Sequence, residues 1–296
     1  MKPVSYLILL CSAVLLWLTG CTGQPTSDKM ITVTIEPQRY FAEKIAKDKF
    51  TIHTMVPAGQ NPENYDPTPS QMIKVGQSIA YFKIGYIGFE KAWMENIASN
   101  NPQLKLFDLS EGMPLIKGEE HVHEHDGERI VHKGETDPHI WNSIKGARII
   151  AQNMLKAFIH LDKENETFYR RNYEEVMREI DGIESKVKAE LDGLENRTFI
   201  IYHPALTYFA NEYNLKQLCI EMDGKEPSPA QLKHLIDTAR AHQAKVVFIQ
   251  KEFDGKNAML ISQETDCQLI TINPLDYHWD MEMIQIAKAL SNGKTN

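Results

Sequence analysis

The sequence predicts an α/β protein of two βα lobes, each with a parallel four-stranded sheet, joined by one long rigid helix. Three observations lead to this fold class. Strand-like runs alternate with helix-like segments in the first half, the alternation returns in the second half, and a long amphipathic helix lies between them. Strands that alternate with helices form parallel sheets with both faces covered. The 296 residues are enough for two such cores.

An apolar stretch near the N-terminus is separate from both lobes. Residues 4–18 have the length of a signal-peptide core rather than of a membrane-spanning helix. The stretch is followed by Leu-Thr-Gly-Cys at 18–21, which resembles a bacterial lipobox, where the cysteine becomes the acylated first residue. We expect residues 1–20 to be a lipoprotein signal peptide, Cys21 to carry the lipid, and residues 21–29 to form a flexible tether. An ordinary signal peptide with an incidental Cys21 is the alternative.

The first lobe is expected to span residues 30–163. Its strands are predicted from short runs with β-branched residues or apolar alternation. A proline-rich loop follows the second of these strands. The predicted strands are 31–35, 50–56, 79–84 and 104–109, and the predicted helices are 37–47, a short one before the third strand, 89–100 and one after Trp141.

The linking helix is expected at residues 164–193. Its apolar residues recur at spacings of three and four, which places them on one helical face as packing residues. At about 1.5 Å per residue such a helix is about 45 Å long, enough to back both lobes as a stiff connector. The apolar face consists of Tyr169, Tyr173, Val176, Ile180, Ile183, Val187 and Leu191.

The second lobe is expected to span residues 194–296. Cys219 and Cys267 lie in or beside different predicted strands, so we expect no disulfide between them. Ser228 is a plausible N-cap for the helix that follows it. The predicted strands are 198–202, 215–220, 245–250 and 268–272, and the predicted helices are 205–213, one from about 229 to 242, 256–264 and one from about 280.

Charge and motif content exclude several function classes. The chain has 32 Lys and Arg against 40 Asp and Glu, so its net charge of -8 argues against a nucleic-acid partner. A metalloprotease His-Glu-x-x-His helix, a Gly-x-Ser-x-Gly elbow and a glycine-rich phosphate loop are all absent from the sequence. These observations disfavour the common hydrolase and nucleotide-binding classes.

A histidine-rich segment lies in the first lobe, within a long predicted loop at about 110–136. Four histidines fall within twelve residues, interspersed with carboxylates, a composition that suits Zn²⁺. We expect a weak, fast-exchanging accessory metal site here, and the alternative is a solvated polar loop. The histidines are His121, His123, His125 and His132.

Four other polar residues follow or adjoin predicted strands, two in each lobe. His203 and Asn273 come directly after strands, Glu63 lies in the proline-rich loop, and His139 lies where the long loop returns to ordered structure. Ligands of open α/β sheets bind beyond the carboxyl ends of the strands. We therefore expect these side chains to converge in the cleft between the lobes, with Asp276 close behind Asn273.

Five ordered segments carry a resemblance to a known family. They are residues 31–40, 59–70, 136–141, 202–209 and 226–229. They resemble the metal-specific solute-binding proteins of bacterial zinc and manganese ABC transporters, from about residue 30 to the C-terminus. The resemblance implies a metal in the inter-lobe cleft, a lipid-anchored or periplasmic protein, and delivery to a membrane permease and its ATPase. Histidine-rich loops just before an Asp-Pro-His motif are typical of the zinc branch.

The chain departs from the family pattern at three positions. The first family ligand, a His, corresponds to Glu63, and the acidic residue near the last strand corresponds to Asn273. The usual Glu after the third strand of the second lobe corresponds to Gln250. His139 and His203 therefore match the family directly, whereas Glu63 matches by position with changed chemistry.

We expect a non-enzymatic, monomeric, lipid-anchored protein of the bacterial cell envelope that captures Zn²⁺. Two imidazoles and one carboxylate form an accepted zinc shell, with water, Asn273 or Asp276 as the fourth ligand. Mn²⁺ or Fe²⁺ binding is an alternative, because the Glu at position 63 favours harder metals. An envelope zinc buffer would use the same shell, and so would a zinc-dependent hydrolase with an open water position.

Overall fold

The structure is a computed structural model that describes residues 29–118, 121–125, 128–132, 135–221 and 225–292. The predicted signal peptide and Cys21 lie outside the described residues. Within these ranges, no helix is both long enough and apolar enough to cross a membrane.

The first sheet has four parallel strands in the order β2-β1-β3-β4. In the central strand β1, Ile31, Thr32 and Val33 are all fully buried, as expected when both faces of a parallel sheet are covered. The strands are β1 (Met30–Val33), β2 (Thr51–Thr54), β3 (Ser78–Lys83) and β4 (Lys105–Asp108), and the helices are α1 (Glu36–Ala46), α2 (Pro69–Gly76), α3 (Gly88–Asn100) and α4 (Ile144–Leu161).

The second sheet repeats this arrangement, with four parallel strands in the order β10-β9-β7-β8. The predicted cap at Ser228 is confirmed, since its hydroxyl accepts the backbone N–H of Gln231. The strands are β7 (Thr198–Ile201), β8 (Lys216–Cys219), β9 (Val246–Gln250) and β10 (Gln268–Ile272), and the helices are α6 (Thr207–Glu212), α7 (Pro229–Ala241), α8 (Lys256–Thr265) and α9 (Trp279–Asn292).

The linking helix is α5 (Glu166–Leu191), with 26 residues. The predicted apolar face is buried, apart from the half-buried Tyr173, and Asn172 is buried with it. Helix α5 packs on α1 and α4 of the first lobe and on α9 of the second. The predicted fold class is therefore confirmed: two α/β lobes with parallel four-stranded sheets, backed by one long helix.

The segment around the four histidines differs from the predicted loop. It contains an antiparallel pair, β5 (His121–His125) and β6 (Glu128–His132), in which His121 is opposite His132 and His125 is opposite Glu128. The sequence contains the reason for this pairing. Asp126-Gly127 is a dipeptide typical of two-residue hairpin turns, and each flanking run contains β-branched residues.

The positions of Cys219 and Cys267 in the second sheet support the expectation that they do not pair with each other. Cys219 ends β8 and Cys267 directly precedes β10, and these strands form opposite edges of the sheet. Three strand spacings separate them, which is about 14 Å and far beyond the reach of a disulfide.

Candidate metal site

Loops at the carboxyl ends of the strands of both lobes meet in one small pocket. Its cavity volume is about 10 Å³, room for roughly one water-sized particle. The first lobe contributes the loop after β2 and the segment before α4, and the second lobe contributes the loops after β7, β9 and β10. The lining residues are Asn61, Pro62, Glu63, His139, Trp141, His203, Ala205, Glu252, Phe253, Pro274 and Leu275.

His139 of the first lobe and His203 of the second face each other across this pocket. Their Nε2 atoms are 3.3 Å apart, and the ring planes are inclined by 71°. His139 is 6% exposed, and His203 is half-buried. The fold therefore brings together two histidines that lie 64 residues apart in the sequence, as the strand-end rule predicted.

Each histidine has its own carboxylate on the side away from the pocket. Nδ1 of His139 is 2.9 Å from Oδ1 of Asp137, and Nδ1 of His203 is 3.1 Å from Oε2 of Glu221. An ionised carboxylate only accepts hydrogen bonds, so both Nδ1 atoms carry the hydrogen and donate it. Carboxylates in this position fix the ring orientation and increase the basicity of the Nε2 atom, which here points into the pocket.

The backbone around both histidines is also fixed. The side-chain amide of Gln250 donates to the carbonyl of His203 over 2.7 Å and accepts its N–H over 3.3 Å. The ring of Phe253 stacks on His203, with centroids 5.3 Å apart. Near His139, a Cβ on Gly146 would lie 1.7 Å from the carbonyl oxygen of Ile140. Only glycine lets the first turn of α4 approach the turn after His139 this closely.

Glu63 reaches the pocket from the loop after β2. Its Oε2 accepts a 3.0 Å hydrogen bond from the backbone N–H of Gly88, at the first turn of α3. Helix N-termini favour carboxylates, because their free N–H groups and the helix dipole both attract negative charge. Its Oε1 is buried without a hydrogen-bond partner among the described residues. Such an atom is uncommon in folded proteins and is available to a cation.

Glu252 also lines the pocket, although sequence analysis did not select it. It lies two residues beyond the end of β9 and is half-buried. Burial raises the pKa of its carboxyl, while the neighbouring His203 and His139 act in the opposite direction. The strand-end rule could have found Glu252, and also Glu221, which follows β8 closely.

The other predicted candidates lie elsewhere. Asn273 and Asp276 are not among the lining residues. The Asn273 amide donates to Oδ2 of Asp276 over 2.7 Å, and the Asn273 N–H donates to Oε1 of Glu282 over 2.7 Å. The side-chain NH₂ and the backbone N–H of Asn273 are therefore engaged within its own loop and with α9.

The carboxylates around the pocket favour positive charge. Burial opposes protonation of His139, but Asp137, Glu63 and Glu252 outweigh it and raise the pKa of His139 above its ordinary value. Burial likewise opposes ionisation of Asp137, yet His139 and several hydrogen bonds lower the pKa of that carboxyl. Among the described residues, no three His, Cys, Asp or Glu side chains already form a group that could hold an ion. The pocket thus contains side chains that can bind a metal, but they are not yet arranged around a single ion position.

A comparison with protein families identifies the relatives of this chain. The family model described as the periplasmic component A of the zinc-uptake complex, ZnuA, matches residues 31–282. The chain belongs to the ZnuA family. Members of this family are solute-binding proteins of ABC transporters and not enzymes, which confirms the resemblance and the expectation of a non-enzymatic protein.

Among the individual relatives of this ZnuA-family chain, some are named for manganese and others for zinc. It is 26% identical over 280 residues to the manganese ABC transporter substrate-binding lipoprotein PsaA of Streptococcus anginosus, covering 90% of this chain and 87% of that one. It is 25% identical over 264 residues to the high-affinity zinc uptake protein ZnuA of Bacillus subtilis, covering 87% and 82%. A crystal structure of ZnuA superposes with a TM-score of 0.82 at 33% identity, covering 90% of this chain and 99% of that one.

Proposed function

We propose that this chain is the substrate-binding component of a metal ABC transporter that captures Zn²⁺ in the cell envelope and delivers it to a membrane permease. One observation carries the proposal. The Nε2 atoms of His139 and His203 face each other, and each ring is held from behind by its own carboxylate. Two oriented imidazoles from different lobes are suited to a bridging cation.

The separation of these nitrogens supports zinc. Two ligands at about 2.0–2.1 Å from one tetrahedral Zn²⁺ lie about 3.4 Å apart. The observed Nε2–Nε2 distance is 3.3 Å, so the pair can bind the ion with little movement once a proton between them is lost. The third ligand in this proposal is Oε1 of Glu63, which is buried without a partner among the described residues. Binding draws that carboxylate inward and closes the pocket.

The cellular context follows from the same proposal. The lipobox-like tetrad at 18–21 and the relatives named as lipoproteins support a lipid anchor on Cys21. An anchored, monomeric binding protein on the extracytoplasmic face would deliver its metal to a permease powered by an ATPase. An envelope zinc buffer would share the metal site but would not support uptake.

Mn²⁺ is the second candidate cargo, for a specific reason. Both Glu63 and Glu252 line the pocket, and Mn²⁺ prefers more carboxylate oxygens than Zn²⁺ does. The relative PsaA of Streptococcus anginosus is named for manganese. The two cargoes are separated by measuring both affinities on the same protein.

The test is metal analysis of the purified chain, followed by competition titrations with Zn²⁺ and Mn²⁺. We expect one tight equivalent, with zinc preferred, and loss of that equivalent in His203→Ala. The matched control is His234→Ala, an exposed position on α7 outside the pocket, which should bind as the unaltered chain does. Absence of any tight equivalent in the unaltered chain would contradict the proposal.

A further inference from the structure

We infer that Glu252, and not Asn273, supplies the fourth ligand of the bound metal. This inference rests on the proposed function. Glu252 lines the same small pocket as His139, His203 and Glu63, whereas Asn273 does not.

The loop after β9 holds Glu252 beside His203. The N–H of Phe253 donates to the carbonyl of Gln250 over 3.2 Å, which closes a turn around residues 251 and 252. The ring of Phe253 stacks on His203 at an angle of 18° and packs on Tyr202 at 5.1 Å. A turn closed at its base and anchored by an aromatic ring limits how far the Glu252 side chain can move from the imidazole.

The carboxylate of Glu252 is available to a cation. The carboxylate partner of His203 is Glu221, and that of His139 is Asp137, so neither ring depends on Glu252 for its orientation. The Glu252 side chain therefore lines the pocket together with both histidines and holds neither ring in place.

The charge balance gives a physical reason for a second carboxylate. With two neutral imidazoles and Glu63 as the only ligands, a divalent ion and its ligands carry a net charge of +1. Asp137 and Glu221 act on this charge only from behind the imidazoles, whereas a second carboxylate among the ligands neutralises it by direct contact. Asn273 is neutral, and its amide already donates to Asp276, so it cannot supply this charge.

The experiment compares Glu252→Gln with two control variants in the full chain. Glu252→Gln keeps the size of the side chain and removes its charge. Asn273→Ala tests the competing ligand, and Glu226→Gln removes an exposed carboxylate in a neighbouring loop that does not line the pocket. The measurements are the zinc affinity by competition and the visible absorption spectrum of the Co²⁺-loaded protein, which reports the coordination of the ion.

We expect Glu252→Gln to keep one equivalent of zinc, to lose more than about 100-fold in affinity, and to change the Co²⁺ spectrum. Loss of a residue that only orients a ligand costs about 10–100-fold, so loss of a ligand should exceed it. Neither control should change affinity or spectrum. An unchanged affinity in Glu252→Gln, or a changed Co²⁺ spectrum in Asn273→Ala alone, would overturn the inference.

Two further readouts keep the outcomes distinct. If Glu252→Gln does not fold, Glu252→Asp tests the assignment instead. Aspartate keeps the negative charge, but its side chain is one methylene shorter, so the carboxylate lies farther from the metal. A Co²⁺ spectrum that differs from that of the unaltered chain supports the ligand assignment, and an identical spectrum overturns it. If His203→Ala abolishes tight binding while Glu252→Gln does not weaken it, the ligand assignment fails and the proposed function stands. If the unaltered chain binds no metal, the proposed function itself fails.

Discussion

The backbone N–H of Gly88 donates a 3.0 Å hydrogen bond to the carboxylate of Glu63, and the main chain of Glu63 occupies the space where a Gly88 side chain would lie. A Cβ on Gly88 would be 2.1 Å from the Glu63 carbonyl oxygen. The next N–H of α3, that of Phe89, donates to the carbonyl of Pro62 over 2.9 Å. The first turn of α3 therefore holds the whole Glu63 loop against the pocket.

Gly88→Ala should weaken zinc binding by moving the Glu63 loop. The added methyl collides with backbone atoms that cannot turn aside, so the loop must shift and the carboxylate leaves its place. We expect roughly a 10-fold to 100-fold loss of affinity by competition titration, comparable to the loss of an orienting contact. The control is Gly182→Ala in α5, where a Cβ meets nothing within 4 Å.

Gly182→Ala should bind zinc normally and should stabilise the protein against unfolding by up to about 1 kcal/mol, because alanine is the better helix former. If Gly88→Ala binds zinc with unaltered affinity, the position of the Glu63 loop does not contribute to zinc binding.

Glu63 itself should be replaceable by histidine but not by alanine. Glu63→Ala removes one of the proposed ligands and should weaken zinc strongly, while Glu63→His should restore a nitrogen ligand. A histidine must lose its proton near pH 6.5 before it can bind, whereas a glutamate side chain ionises near pH 4.3. The unaltered chain should therefore keep zinc to slightly lower pH than Glu63→His. Tight binding by Glu63→Ala would show that Glu63 is not a ligand of the metal.

Asp137 should set the pH at which zinc is released. The pKa of His139 is raised by Asp137, Glu63 and Glu252 against the effect of burial, so protons compete with zinc already above the ordinary imidazole value of 6.5. Zinc affinity should decrease as the pH falls through that range. Asp137→Asn should move this decrease to lower pH and also lower the affinity at neutral pH by about 10–100-fold, because the ring loses its orienting carboxylate.

Competition titrations between pH 5 and 8 measure both effects of Asp137→Asn. An unchanged pH profile would mean that Asp137 does not control the protonation of His139.

The histidine-rich hairpin should add zinc without forming the primary site. Removal of residues 119–132 should lower the number of zinc ions bound at high zinc concentration and leave one tight equivalent. Equilibrium dialysis over a range of zinc concentrations measures both quantities. Loss of the tight equivalent would mean that the hairpin supplies a primary ligand and that the pocket is misassigned.

Cys21 should determine membrane association. Cys21→Ser removes the proposed site of acylation and should release the protein from membranes, with its thermal unfolding unchanged. Fractionation of cells that express either form measures this. A variant that still sediments entirely with membranes would contradict the lipid anchor.

The sequence was sufficient to predict the strands and the linking helix, because the spacing of apolar residues indicates which face of an element is buried. The ends were less certain: β1 stops at Val33, two residues before the predicted end, since α1 begins at Glu36. The hairpin was missed because its two strands are mostly polar and show no alternation of apolar and polar residues. The available signal was the dipeptide Asp126-Gly127, which is typical of two-residue hairpin turns.

The strand-end rule selected His139, His203 and Glu63, which line the pocket, and Asn273, which does not. It passed over Glu252, which lines the pocket from the loop after β9. Sequence spacing gives the end of the sheet at which a residue lies. It does not give the direction in which a loop turns its side chain, because that depends on contacts such as the stacking of Phe253 on His203.

Crystals of the zinc-loaded chain, measured on both sides of the zinc absorption edge, test the central claim most directly. We predict one strong anomalous peak between His139 and His203, about 2.0–2.1 Å from each Nε2 atom. An anomalous peak confined to another part of the chain, with the two Nε2 atoms bound to no metal, would contradict it.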